Sequence, residues 1–142
     1  MTTSPQVARE IGAMLSGMTP MLADGEFIYC TTTDENIAGR ACGGALAWFR
    51  EKEGVSLILA RTLAADFGFA CDMPMRRIVL EVFSSLEGVG LTAAVASALS
   101  AYGIPCNMVA AYHHDHIFVP SDKAELAMEI LTELQQSASA CC

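Results

Sequence analysis

SSLEGVGLTAAVASAL, residues 84–99, follows the apolar run RRIVLEVF and opens a segment with helical spacing. Gly88, Gly90 and Ala93 inside it fit the loose dinucleotide-loop pattern of two glycines and a small residue. A dinucleotide site needs a parallel strand after the helix and an acidic residue about 20 positions on. Here the next strand, IPCNMVAAY, runs straight into a hairpin at His113-His114-Asp115. The glycines also sit beyond Ser84-Ser85-Leu86-Glu87 rather than at the strand's end, and Glu87 would face a pyrophosphate with negative charge. The stretch therefore reads as a strand-to-helix turn of another kind.

Outward from that turn the order of elements is β-α-β-β-α. Ile78, Leu80 and Val82 share one face of the strand before it. Leu91, Val95, Leu99 and Tyr102 repeat along the helix after it, which Gly103 ends. HIFV returns from the hairpin, and Pro120 closes that strand. Asp122 with Glu125 forms a capping box for a last helix that buries Leu126, Ile130 and Leu134.

The first half repeats part of this order. Ser4 and Pro5 open a helix to about residue 17, with Val7, Ile11, Met14 and Leu15 on one face. Gly17, Pro20 and Asp24-Gly25 break it, and EFIYCTT reads as a strand. TDENIAGRACGG, residues 33–44, reads as a glycine-rich loop. ALAWFREKEGVSLILA reads as a hairpin turning at Arg50–Gly54, and Thr62 caps a short helix ending near Gly68. The repeated order suggests a diverged internal duplication.

Composition narrows the function. The chain of 142 residues is 53% hydrophobic and carries a formal net charge of −8. Arg76-Arg77 is the one adjacent basic pair, so neither nucleic acid nor an anionic membrane surface is an expected partner. No apolar run approaches a membrane span of about 20 residues, and MTTSPQVARE lacks a secretory pattern, which makes cytoplasm the expected compartment. None of the six cysteines forms a Cys-x-x-Cys pair. Cys30 and Cys106 lie in strand-like runs as small apolar filler, and Cys141-Cys142 end a small-residue tail.

Catalytic patterns are weak. His113, His114 and His116 flank Asp115, a set with zinc-ligand chemistry. On a strand, however, His114 and His116 share a face and Asp115 points away, so a hairpin tip with Asp115 as turn former and solvated histidines is the simpler reading. Cys106 precedes these histidines but sits among uncharged apolar neighbours, the wrong setting for a thiolate nucleophile. Glu87 alone makes no acid–base pair. The expectation is no enzyme, no cofactor and no metal site.

DGEFIYC, WFREKEGVSLIL, SSLEGVGLTAAVASAL and GIPCNMVAAYHHDHIFVP together resemble a small bacterial family of stand-alone tandem ACT-like proteins. The resemblance covers about residues 17–134. It implies an α+β, ferredoxin-like (βαββαβ) fold in tandem, an antiparallel sheet with helices on one face, divided into halves at 1–72 and 73–142. It also implies a regulatory module that binds an amino acid or similar small metabolite, as a homodimer. The implied ligand turn is Glu87, Gly88, Val89, Gly90, Leu91 and Thr92, with Asn107 as the family's polar position early in the next strand. Backbone amides bared at a helix start suit an α-carboxylate, and glycines let it approach. Asn107 offers a donor and an acceptor, and Glu87 a partner for an α-amino group. The alternative is a ligand-free structural or interaction module, with the glycines serving geometry alone.

Two features depart from the pattern. The first half lacks a helix between its first two strands, and the second half lacks a fourth strand. A shared edge strand, with EFIYCTT as the candidate, would cover the bare edge. Trp48 and Met108 are expected in the core.

Overall fold

The computed structural model describes residues 12–81 and 90–140. The elements run β1 (Thr19–Leu22), β2 (Phe27–Thr32), α1 (Glu35–Cys42), β3 (Ala47–Glu51), β4 (Gly54–Ala60), α2 (Arg61–Asp66), β5 (Met75–Glu81), α3 (Leu91–Ser100), β6 (Asn107–Ala110), β7 (Asp115–Pro120) and α4 (Ala124–Ala140). Residues 12–16 are helical, and a 3-10 turn at Ser121–Lys123 precedes α4. Contacts group the chain into two compact units, Asp24–Arg76 and the residues on either side of it. The expected halves, 1–72 and 73–142, assign the segment before Asp24 differently.

The inserted unit, Asp24–Arg76, is built from β2, α1, β3, β4, α2 and the first residues of β5. Its strand order is β3-β4-β2-β5, antiparallel throughout, with Phe27 paired to Met75 at the last seam. That is the βαββαβ pattern of a ferredoxin-like fold. Alternation along the strands sends Ile28, Cys30, Leu57 and Leu59 to the helix side, where they meet Ala41 and Ala64.

The helix α1 lies where a loop was expected. Asp34 caps it, its Oδ1 accepting from the amides of Asn36 at 2.9 Å and Ile37 at 3.2 Å. Only two small residues, Ala38 and Ala41, are buried along it, so the apolar periodicity is faint and Gly39 weakens it further. Thr62 lies inside α2, which starts after Ala60 without a side-chain cap. Trp48 is 50% exposed on the edge strand β3, because no element flanks β3 on its outer side in this unit's strand order.

The flanking unit uses β5, α3, β6, β7 and α4, in the strand order β1-β5-β7-β6. Its fourth strand is β1, not EFIYCTT. Thr19–Leu22 runs antiparallel to β5, from Thr19 opposite Glu81 to Leu22 opposite Ile78. Sequence reading passes over β1 because Pro20 and the flanking glycines look like breakers, yet proline is tolerated on an edge strand. EFIYCTT is instead the first strand of the inserted unit.

Ile78, Leu80, Leu91, Val95, Leu99, Ile117, Val119 and Leu131 form the flanking unit's core, with Leu15 and Met18 contributed from ahead of β1. Met108 packs against this core. The last helix turns Ile130 and Leu134 inward as expected, but not Leu126. Leu126 is exposed, and Ala124, Ala127, Ile130 and Leu131 are buried, since small alanines allow a close approach that counting large residues overlooks. Asp122 lies in the 3-10 turn, which has no side-chain cap. Tyr102 falls beyond the end of α3 and is exposed. Val82, Phe83, the start of the N-terminal helix and the Cys141-Cys142 tail lie outside the described residues.

Candidate functional site

Glu87, Gly88 and Val89 lie outside the described residues; Gly90, Leu91 and Thr92 open α3. Gly90 is the N-cap, with φ at +98°, a left-handed backbone that glycine adopts without strain. The first intrahelical bond runs from the amide of Ala94 to the Gly90 carbonyl at 2.9 Å. Among the described residues, no acceptor and no side-chain cap takes the amides ahead of it, those of Leu91, Thr92 and Ala93. Leu91 is buried and anchors the helix start, and Thr92 is exposed.

The equivalent turn of the inserted unit is chemically different. There Asp34 already occupies two of the free amides of α1. Its own amide donates to Thr32 Oγ1 at 3.1 Å, which locks the turn. Among the described residues the start of α3 has no side-chain cap, whereas α1 has filled its own start with a carboxylate.

Asn107 is not brought beside Gly90. Lys123 Nζ donates to the Gly103 carbonyl at 3.2 Å, so the end of α3 meets the chain just after β7. Asn107 pairs with Phe118 near that same end of β7, and the ten residues of α3 span about 15 Å back to Gly90. Its Nδ2 donates to the Phe118 carbonyl at 3.2 Å, a bond that holds the β6–β7 register. With Met108 turned to the core, Asn107 faces the other side of the sheet.

The histidines occupy a hairpin as expected, but the turn is Ala111–His114, closed by Ala111 N donating to His114 O at 3.1 Å. Asp115 opens β7 opposite Ala110 instead of forming the turn. His114 and His116 are partly buried, and the Nδ1 of each is out of solvent without a hydrogen-bond partner among the described residues. Burial first, then the positive charges of Arg77 and His114, hold His116 below the ordinary imidazole value, with Asp115 pulling the other way. Among the described residues no three His, Cys, Asp or Glu side chains converge as a metal set.

Burial, with a smaller push from Cys71, raises the Cys30 thiol to about 11. Burial also raises Cys106. Both shifts disfavour a thiolate, as suits packing residues.

A groove that the sequence reading missed lies in the inserted unit, between α1 and the β3–β4 hairpin. One end, about 310 Å³, is lined by Thr32–Glu35 and the hairpin tip Arg50–Val55. The other, about 390 Å³, is lined by Glu35, Ala38, Gly39, Cys42, Trp48, Arg50 and Val55. It was missed because residues 33–44 read as loop and Trp48 as core. The available signal was Asp34, a good N-cap ahead of Ile37, Ala38 and Ala41.

Two ACT-domain family models match the chain in tandem, one over residues 8–76 and the other over residues 76–133. The chain belongs to the ACT-domain family. It is similar to a solved Vibrio cholerae protein of unknown function, described as a possible transport protein. That likeness has 36% identity and a TM-score of 0.80, and covers 93% of this chain and 99% of the other. An Agrobacterium tumefaciens protein matches at 18% identity and TM-score 0.61, over 83% of this chain and 89% of its own. The ligand-free regulatory subunit of Thermus thermophilus aspartate kinase matches at 10% identity and TM-score 0.60, over 85% of this chain and 97% of its own. These last two show shared fold. No curated protein sequence matches significantly. The protein is thus made of two ACT domains in tandem.

Proposed function

We propose that this ACT protein senses a free amino acid, or a similar zwitterionic metabolite, and performs no chemistry on it. The ligand's carboxylate docks on the backbone amides that open α3, in the turn Glu87–Thr92. The observation that supports this reading is the start of α3 at Gly90, uncapped among the described residues, set against the Asp34-filled start of α1. Partial positive charge at a helix start favours an anion, and α3 is long enough, at ten residues, to supply it. Asn107 has no part in a pocket within one copy. On this reading the protein works in the cytoplasm as a homodimer that passes its state to a partner.

A thermal-stability scan across the twenty amino acids tests the idea. A ligand at 100 times its dissociation constant adds about 2.7 kcal/mol of stability. The companion variant is Thr92→Glu, which places a carboxylate in the first turn of α3. That substitution favours the helix but repels a ligand carboxylate, so the expected result is an unchanged melting temperature with the ligand response gone. A flat response of the native protein to all twenty would end this reading.

A further inference from the structure

We propose that Cys30 and Cys71 of the inserted unit are a redox pair, closed to a disulfide by a peroxide and reopened by a thiol, that fastens α2 and the chain entering β5 onto β2.

Alternation along β2 turns Cys30 to the helix side with Ile28, and Cys71 packs against the same cluster of Ile28, Cys30 and Ala64. The two sulfurs point toward one end of it. Cys30 Sγ turns back along β2 and donates to the Ile28 carbonyl at 3.6 Å. The Arg61 amide donates to the Glu26 carbonyl at 3.0 Å, so α2 begins beside the start of β2. Beyond Phe67 the chain doubles back along α2, far enough for Cys71 Sγ to lie 3.9 Å from the Arg61 carbonyl. Its nearer acceptor is the Phe69 carbonyl at 3.4 Å. Four residues further on, Met75 pairs with Phe27. Both thiols are therefore held where β2, the start of α2 and the entry to β5 meet. Cys30 also feels Cys71 electrostatically, the smaller part of the push on its thiol. Cys42, the other thiol packed on this cluster, sits at the end of α1 instead.

Burial assigns the roles. Cys71 is half-buried and Cys30 buried, so peroxide meets Cys71 first. The Cys71 sulfur attacks a peroxide oxygen; the O–O bond breaks, a sulfenic acid forms and one water leaves. The Cys30 sulfur then attacks the Cys71 sulfur. The S–S bond forms, the S–O bond breaks and a second water leaves. Two thiols have given up two electrons and two protons, and the peroxide has become two waters. Thiol exchange reverses the closure.

The experiment treats the intact chain with a small excess of hydrogen peroxide, blocks the remaining thiols with N-ethylmaleimide and maps the tryptic peptides. Cleavage at Arg40, Arg50, Arg61 and Arg76 leaves Cys30, Cys42 and Cys71 in three separate peptides. The expected product is the Cys30 peptide bridged to the Cys71 peptide, and dithiothreitol should release it. Cys30→Ala should leave Cys71 as a sulfenic acid that dimedone captures, whereas Cys71→Ser should leave Cys30 reduced. Amide exchange across α2 and residues 67–71 should slow by about tenfold in the oxidised chain, and stay unchanged in treated Cys71→Ser.

The proposal is overturned if Cys30 and Cys71 are both recovered as maleimide adducts, or if either is bridged to Cys42 or to the terminal cysteines instead. It is equally overturned if the bridge forms and exchange across α2 does not change, since the bond would then fasten nothing.

Discussion

Gly54 and His116 show how much a single position can carry. Gly54 starts β4 at φ +149°, and a Cβ there would lie 2.7 Å from the Thr32 carbonyl oxygen. Neither backbone can give way without breaking the pairing of Thr32 with Val55. Gly54→Ala should therefore cost more than about 1 kcal/mol, read as a lowered denaturant midpoint. His116 carries a pH effect of definite sign. Its native value lies below that of an unfolded histidine, so stability is fully present above about pH 6.5 and declines as pH falls toward the native value. Over that window the unfolded chain binds the proton first. His116→Gln removes this contribution, so its melting temperature should gain on the native protein as pH drops from 8 to 5. A constant difference across that range would show that His116 titrates alike in both states.

Among elements, α1 is the one whose recognition changes the functional picture. Its stability rests on Asp34, which supplies the cap that the sequence of small residues cannot replace with burial. Asp34→Ala should cost about 1 kcal/mol. Gly39→Ala should add about 1 kcal/mol, because the new methyl meets no neighbour and helix propensity alone decides the sign. Thermal melts of the two variants should move in opposite directions by a few degrees. The same balance explains what could be read from the chain. Ile78 and Leu80, the β3–β4 hairpin, and Leu91, Val95 and Leu99 are large residues at clean periods, so their elements were legible. In α1 and β1, a cap, two buried alanines and an edge-tolerated proline do the specifying, and none of these leaves a strong pattern. Gly90 was legible as a turn residue. The position of Asn107 was not, because a strand's place in the chain does not say at which end of the sheet it begins.

At the scale of the molecule, the chain order and the packing order differ. Two ACT-type βαββαβ patterns are present, but the strand that completes the C-terminal one precedes the N-terminal one in sequence. β1 covers Ile78–Glu81 of β5, and Leu15 and Met18 enter the same core as Leu91 and Leu131. A division at residue 73 implies that 73–142 folds alone; the packing implies otherwise. Without residues 12–23, the fragment exposes one edge of β5 and loses two buried side chains, Met18 among the fully buried. Burial of each is worth about 1.5–3 kcal/mol, which is a large fraction of the stability of a domain this small. Fragment 73–142 should therefore give poorly dispersed amide resonances and little exchange protection. A synthetic peptide of residues 12–23 added in trans should restore both, by pairing with Ile78–Glu81, and Leu22→Pro in that peptide should prevent the rescue by removing an amide on the strand and straining its backbone. A fragment that is well ordered without the peptide would mean that β1 is a dispensable edge and that the α3 turn can be held by residues 73–142 alone.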